Sequence, residues 1–295
     1  MKRLSLLGLI MLLLLVVLAG CQTEEKKVVI ASKPHSEQYI LAEMLTQLIE
    51  THTDITVEQK LGIGGGTANI QPAMLAGEID IYPEYSGTGW LFVLKQELIN
   101  DPDALYESVM SMYQSEFNIV WLDRYGFNNT YALAVAGSIA DEFQLETYSD
   151  LVDKSPMLTF GAEYDFYERE DGYPGLEAIY GFDFMEKKEL DIGLKYEAIG
   201  SGEIDVVNAF STDGLLKEYG LKVLKDDQNF FPSYQAATLI RQETLDQYPE
   251  LKDVLNKLAN QISDDEMIEM NYQVEKENLD PKDVARKFLE DKGLI

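Results

Sequence analysis

Aromatic residues recur at matching places in two pairs of similar segments. Residues 77–89 read GEIDIYPEYSGTG and residues 202–214 read GEIDVVNAFSTDG, so an ungapped alignment sets Tyr85 opposite Phe210. A second pair of segments shares the pattern F-x-x-[ST]-Y, and these segments end at Tyr131 and Tyr234. Proteins hold a quaternary ammonium, which has no N–H to donate, against the faces of aromatic rings. The four residues are therefore candidates for an aromatic cage, although spacing alone also allows them to be ordinary core or surface aromatics.

Three polar residues are candidate contacts for the other end of such a ligand. Gln38 falls in the first turn of a predicted helix, where anions are favoured, and its amide is a neutral donor. Thr88 and Asn129 each lie close in sequence to a candidate cage residue. The alternative interpretation is that Gln38 is an exposed helix residue and that Thr88 and Asn129 cap turns.

Nucleotide binding, metal binding and hydrolysis have little support. The glycine run at residues 62–66 has neither the lysine of a P-loop nor the G-x-G-x-x-G spacing, and it fits better as a turn into a helix whose amides face a cleft. The histidines, His35 and His52, have no cysteine partner at a zinc spacing, and no G-x-S-x-G motif is present. We therefore expect no catalytic residue, no metal, no cofactor and no enzymatic activity.

Four of the acidic residues between 163 and 171 are predicted to form surface or interlobe ion pairs rather than a pair of catalytic carboxylates, with Arg169 as a partner. These acidic residues are Glu163, Asp165, Glu168 and Asp171. The formal net charge of −28 repels nucleic acid and anionic lipid headgroups, and it suits a protein that must stay soluble outside the cell.

The N-terminus has the pattern of a lipoprotein signal. Lys2 and Arg3 precede an apolar run at residues 4–18, and small residues lead directly to Cys21. We predict a signal peptide over residues 1–20, a lipid on Cys21 and a short polar tether over residues 21–27. An uncleaved signal anchor is the alternative. Cys21 is the only cysteine of the chain, so an internal disulfide is excluded.

Strand and helix patterns alternate along the rest of the chain. A buried strand is predicted at residues 28–31, and apolar residues at helical spacing predict a helix over 36–52. This alternation indicates an α/β fold with mostly parallel sheets. The repeated segments predict two similar lobes, with lobe one at residues 28–128 plus 233–295 and lobe two at residues 129–232. The two F-x-x-[ST]-Y segments would be the crossovers, and ligands of such sheets bind beyond the carboxyl ends of the strands.

Five segments, in this order and after a lipobox, resemble the substrate-binding lipoproteins of glycine betaine, carnitine and choline ABC importers of the OpuC, or osmoprotectant-uptake, type. The segments that carry the resemblance are residues 32–33 with 36–43, 77–89, 126–135, 171–176 and 209–214. The resemblance implies a two-lobe type II periplasmic-binding fold with the ligand in the cleft. It also implies a permease and its ATPase subunits as partners, a membrane contact through the lipid on Cys21, and a monomer at the extracytoplasmic face of the membrane.

Carried over residue by residue, the resemblance gives both ends of the site. The cage would be Tyr85, Tyr131, Phe210 and Tyr234, and the polar contacts would be Gln38, Thr88 and Asn129. Phe210 stands where the osmolyte-transporting relatives carry Tyr, and Ser86 stands where Thr is expected, so ligand choice and affinity are in question rather than the fold. The alternatives are a receptor for another small polar solute such as an amino acid, a surface-anchored hydrolase, or a lipoprotein that binds only a protein partner.

Overall fold

The computed structural model describes residues 26–295. The predicted signal peptide, Cys21 and most of the predicted tether lie outside these residues. Within the described part of the chain, no helix combines the length and the apolar character needed to cross a membrane.

The strands form two sheets of five strands each. In chain order they are β1 (Lys27–Ala31), β2 (Thr56–Lys60), β3 (Ile81–Tyr85), β4 (Ile119–Asn128), β5 (Tyr131–Ala136), β6 (Thr159–Ala162), β7 (Glu186–Glu189), β8 (Val206–Phe210), β9 (Leu221–Val223) and β10 (Gln235–Arg241).

The α-helices pack around these sheets. They are α1 (Ser36–His52), α2 (Thr67–Leu75), α3 (Pro102–Phe117), α4 (Gly137–Phe143), α5 (Tyr148–Val152), α6 (Tyr164–Glu168), α7 (Tyr173–Tyr180), α8 (Lys195–Gly200), α9 (Gln242–Gln247), α10 (Glu250–Leu255), α11 (Asp264–Glu275) and α12 (Pro281–Asp291). A π-helical turn (Thr88–Val93) and two short 3₁₀ segments (Ser155–Met157 and Asn256–Leu258) complete the elements.

The two sheets share one topology. The first has the order β2-β1-β3-β10-β4 and the second the order β7-β6-β8-β5-β9. In each sheet the first three strands of this order are parallel to one another. The fourth strand, β10 or β5, is antiparallel to the neighbour on each side. The expectation of mostly parallel sheets is therefore wrong in part. Strands β5 and β10 both follow a passage of the chain from the other sheet, so they run against their neighbours instead of returning through a helical crossover.

The two GEID segments make the same local structure in both sheets. Gly77 and Gly202 end a helix with φ of 77° and 75°, a left-handed conformation that glycine adopts without strain. Asp80 then accepts a hydrogen bond from the backbone N–H of Val29 at 2.8 Å, and Asp205 accepts one from Thr159 at 2.8 Å. Each Asp thus ties the start of its strand to the neighbouring parallel strand.

Helix α1 shows how burial positions the first sheet. It spans the residues predicted from the helical spacing, and it buries Ile40, Met44 and Leu48 completely. Full burial of a side chain of this size is worth about 1.5–3 kcal/mol. The N-terminus of α1 is thereby held beside the ends of β1 and β3, where the polar residues of the site begin.

The chain passes between the sheets through two adjacent segments. One runs from Asn128 to Tyr131, and the other runs through Ser233 and Tyr234 into β10. They are hydrogen-bonded to each other, since the Asn129 N–H donates to the Tyr234 carbonyl at 3.1 Å and the Tyr234 N–H donates to Asn128 Oδ1 at 2.7 Å. Residues 28–128 plus 233–295 form the proposed lobe one, and residues 129–232 form the proposed lobe two.

Candidate ligand-binding site

A cavity of about 580 Å³ lies where the carboxyl ends of the parallel strands of both sheets meet. Its wall includes residues 33–35 after β1, Tyr85 at the end of β3, residues 163–165 after β6, residues 189–192 at and after the end of β7, and Phe210 at the end of β8. We call it the cleft cavity. A smaller space of about 290 Å³, the side cavity, adjoins it and shares His35 and Phe210 as wall residues.

All four aromatic residues singled out in the sequence line the cleft cavity. The ring centroid of Tyr131 lies 5.1 Å from that of Phe210 and 5.5 Å from that of Tyr234, which it meets nearly edge-on at 84°. Tyr85 and Tyr234 are almost fully buried, and Tyr131 and Phe210 are half-buried. Phe92 and Tyr164, which were not singled out, also contribute aromatic rings to the wall.

The hydroxyls of two cage tyrosines are anchored on buried carboxylates. Tyr85 donates to Glu37 Oε1 at 2.5 Å, and Tyr234 donates to Asp171 Oδ2 at 3.0 Å. Burial first, and then the neighbouring carboxylates, raise the pKa of Tyr85 and of Tyr234 well above 10, so both phenols stay protonated and keep donating. Both rings are therefore held in fixed orientations.

The three polar candidates have different positions. Thr88 and Asn129 line the cleft cavity, and Asn129 Nδ2 donates to Glu37 Oε1 at 2.8 Å. Gln38 does not line it; its amide donates to the Pro83 carbonyl and to the Tyr85 hydroxyl, both at 3.1 Å. In this geometry Gln38 supports the Tyr85 ring from behind.

A buried ion pair supports the Tyr85 side of the cavity. Lys33 Nζ lies 2.5 Å from Glu84 Oε1 and 4.7 Å from the centroid of the Tyr85 ring. Glu84 has no exposed surface and also accepts hydrogen bonds from Thr67 and Tyr82. Burial lowers the pKa of Lys33 more than Glu84 raises it.

A second ion pair lies on the opposite side of the cleft. Arg169 donates to Asp171 through Nε at 2.7 Å and Nη2 at 2.5 Å, and its guanidinium carbon lies 4.7 Å from the ring centroid of Phe92 and 5.8 Å from that of Tyr131. The predicted pairing of Arg169 within the acidic segment is confirmed. Glu163 and Asp171 are buried, whereas Asp165 and Glu168 are exposed. Glu163, Asp165 and Arg169 line the cleft cavity, so part of this segment belongs to its wall.

Lys195 and His35 reach Phe210 from the side cavity. Lys195 is buried, donates to Glu163 Oε1 at 2.9 Å, and places its Nζ 4.5 Å from the Phe210 centroid. His35 stacks on Phe210 with centroids 6.0 Å apart. Burial, followed by the charges of Lys33 and Lys195, lowers the pKa of His35 to about 3, so this imidazole is neutral at ordinary pH.

The comparison with protein families identifies the family of this chain. The model of the OpuAC family, described as the substrate binding domain of ABC-type glycine betaine transport system, matches residues 26–291. The chain belongs to this family. The family is one of transport substrate-binding proteins, which agrees with the absence of a catalytic motif from the sequence.

Individual OpuAC relatives differ in the ligand that their names carry. The ergothioneine transport permease/ergothioneine binding protein EgtU of Helicobacter pylori strain G27 is 47% identical over 271 residues, which is 92% of this chain and 48% of that protein. This chain thus spans about half the length of that relative. The carnitine transport binding protein OpuCC of Listeria monocytogenes serotype 1/2a is 37% identical over 86% of this chain and 83% of its own.

Solved OpuAC-like structures share the architecture. A glycine betaine/carnitine/choline ABC transporter structure superposes with a TM-score of 0.74 at 36% identity, covering 90% of this chain and 99% of that one. The predicted two-lobe type II periplasmic-binding fold is confirmed.

Proposed function

We propose that this chain is the extracytoplasmic substrate-binding component of an ABC importer for betaine-type solutes, small compounds with a trimethylammonium group such as glycine betaine, carnitine or choline. The observation that carries the proposal is the joint position of Tyr85, Tyr131, Phe210 and Tyr234 on the wall of one cavity. Ring faces attract a desolvated cation by about 0.5–2 kcal/mol each.

The phenol anchors favour a cation further. A hydroxyl that donates to a carboxylate makes its ring richer in electrons, and both Tyr85 and Tyr234 donate in this way. The acidic residues Asp165, Glu189 and Asp191 also line the cavity. Their charges attract a quaternary ammonium through space, with no need for a hydrogen bond from it.

The carboxylate of a betaine has two cationic partners within reach. Lys33 and Arg169 both line the cleft cavity, and each is already fixed by a carboxylate of the protein. Arg169 lies beside Tyr131. A betaine whose carboxylate binds Arg169 would therefore have its ammonium end near the rings. Thr88 is the candidate neutral donor at the same end.

Capture would proceed by closure of the proposed lobes around the ligand. A ligand that touches both lobes favours the closed state by its differential affinity for that state. The closed protein would then dock on a permease, whose ATPase subunits supply the energy. We propose that a lipid on Cys21 holds this monomeric receptor at the extracytoplasmic face of the membrane.

Ergothioneine, a betaine that carries a sulfur-substituted imidazole ring, is the second candidate ligand. It is favoured by the 47% identity to the Helicobacter pylori protein named for it and by the cavity volume of about 580 Å³, which suits ligands well above the size of glycine betaine. The replacement of Tyr by Phe at position 210, relative to the osmolyte-transporting pattern, is a wall change of the kind that accompanies a different ligand.

Isothermal titration of the purified protein with glycine betaine, carnitine, choline and ergothioneine tests both candidates. We expect saturable 1:1 binding of at least one of them. The affinity should fall by about tenfold or more in Tyr131→Leu, because one aromatic ring of the wall is removed. Tyr219→Leu is the matched control, since Tyr219 belongs to lobe two and does not line the cleft cavity. If the folded protein binds none of the four compounds, the betaine proposal fails.

A further inference from the structure

Glu37 is a buried carboxylate whose hydrogen-bond partners come from both proposed lobes. It lies in the first turn of α1 and is 2% exposed. Oε1 accepts from the Tyr85 hydroxyl at 2.5 Å and from Asn129 Nδ2 at 2.8 Å. Oε2 accepts from the Thr212 hydroxyl at 2.7 Å and from Asn271 Nδ2 at 3.3 Å. Each oxygen therefore has two donors.

The donors around Glu37 are all neutral groups. The Asn271 amide also donates to the Thr212 carbonyl at 2.9 Å, which fixes the amide with its nitrogen towards acceptors. No Lys, Arg or His of residues 26–295 forms an ion pair with Glu37. Burial raises the pKa of this carboxyl, and the hydrogen bonds oppose the shift. The carboxyl group is therefore surrounded by four neutral donors and has no cationic side chain as a partner.

Thr212 connects the Glu37 network to the second sheet. Thr212 lies two residues after Phe210, in the turn that follows β8, whereas Tyr85 ends β3 in the other sheet. Glu37 thus bridges the two strand ends that the repeated segments present to the ligand. Opening of the cleft would separate Thr212 from Glu37 and remove one of the two donors on Oε2.

We propose that Glu37 is a positioning residue that couples the orientation of Tyr85 to closure of the cleft through Thr212. In the closed arrangement the Thr212 hydroxyl holds the carboxylate, and the carboxylate holds the Tyr85 ring. A ligand cation against that ring would lie next to a carboxyl network that contains no cationic side chain. This proposal goes beyond the proposed function and depends on it only for the choice of probe.

A set of variants at the two ends of the bridge tests the coupling, with affinity and dissociation rate measured for whichever of glycine betaine, carnitine, choline and ergothioneine the wild type binds. Thr212→Val removes the donor at nearly constant shape, and we expect about tenfold weaker binding through faster dissociation. Thr212→Ser keeps the hydroxyl and should bind like the wild type. That rescue separates the hydrogen bond from a loss of packing.

A double-variant cycle tests whether the two lobes communicate. Tyr85→Phe keeps the ring and removes the hydroxyl, so it should also weaken binding. If Glu37 joins the two groups, the Tyr85→Phe/Thr212→Val protein should lose clearly less affinity than the product of the two single losses. Losses that multiply, or a Thr212→Val protein that binds like the wild type, would overturn the proposal.

A ligand-independent measurement keeps the test separate from the proposed function. If no probe binds the wild type, the betaine proposal fails, and the coupling is judged by urea unfolding of Glu37→Gln, Thr212→Val and their double variant. A midpoint shift of the double variant that is smaller than the sum of the two single shifts supports the bridge, and additive shifts contradict it.

Discussion

The two sides of the cleft each hold an aromatic residue at a strand end, but they hold it in different ways. In lobe one, Lys33 pairs with Glu84, and the same Glu84 oxygen accepts the backbone N–H of Tyr85 at 2.8 Å. In lobe two, Asp213 accepts the backbone N–H of Phe210 at 2.8 Å and lies 3.4 Å from Lys195. On both sides a lysine lies over the aromatic residue that ends the third parallel strand.

The difference between the sides lies in how each ring is fixed. Tyr85 is held by its hydroxyl on Glu37, whereas Phe210 has no hydroxyl and is held by contact with Tyr131 and His35. The charges differ as well. Burial lowers the pKa of Lys33 beside one carboxylate, but Asp213 and Glu163 together overcome the effect of burial and raise the pKa of Lys195. Lobe one therefore orients its ring by a hydrogen bond, and lobe two by packing and a denser set of charges.

The largest predicted effect comes from removal of the lobe-two lysine. Lys195→Met leaves the buried Glu163 and the half-buried Asp213 without their cation, and we expect the free energy of unfolding to fall by about 3–5 kcal/mol. Lys33→Met should cost less, because it removes the cation of one carboxylate, Glu84, rather than of two. Urea unfolding of the two variants measures the difference. Equal losses would show that the two lysines are equivalent.

The second prediction concerns a carboxyl group that faces the lobe-two charges across the side cavity. Burial and the charge of Asp213 raise the pKa of Glu275 to about 8, although a hydrogen bond from Ser36 and the charge of Lys195 act in the opposite direction. A raised folded pKa favours the protonated form. The contribution of Glu275 to stability is therefore full below pH 4.5 and is lost as the pH rises from 4.5 to 8.

Glu275→Gln stays neutral and should avoid that loss. We expect the variant to match the wild type near pH 4.5 and to exceed it by roughly 2–4 kcal/mol above pH 8. The measurement is the free energy of unfolding of both proteins across this range. Glu269→Gln, at an exposed site on the same helix, is the control and should show no such trend. A constant difference at all pH values would mean that Glu275 is not the buried titrating group.

Sequence reasoning found the parts of this comparison that repeat locally. Helix α1 followed from its apolar spacing, and Tyr85 and Phe210 were found because the strand ends that carry them repeat. Tyr131 and Tyr234 were found in the same way. These features depend on neighbours in the chain, so a single sequence contains the whole signal.

The charged half of the site was largely missed because its partners are far apart in sequence. Lys195 and Glu163 are separated by 32 positions, and Glu37 and Thr212 by 175. In a chain with 52 acidic residues, nothing local distinguishes the few that are buried. Glu37 is not distinguished locally either, since the same helix also buries Gln38, Glu43 and Gln47. Burial of such groups is decided by how the sheets meet, and no short window of residues reports that.

The smallest effect tests whether the two lobes are alike at the level of the backbone. Gly77 and Gly202 have nearly the same positive φ, so Gly77→Ala and Gly202→Ala should each cost about 1–2 kcal/mol through strain of the left-handed conformation. A Cβ at position 202 would meet no atom within 4 Å, whereas one at position 77 would lie 3.2 Å from Arg241 Nη1. We therefore expect the loss at position 77 to be equal or slightly larger, measured as a shift in Tm. A clearly larger loss at position 202 would mean that the second GEID segment is held by contacts that the first lacks, and that the likeness of the two lobes ends at their topology.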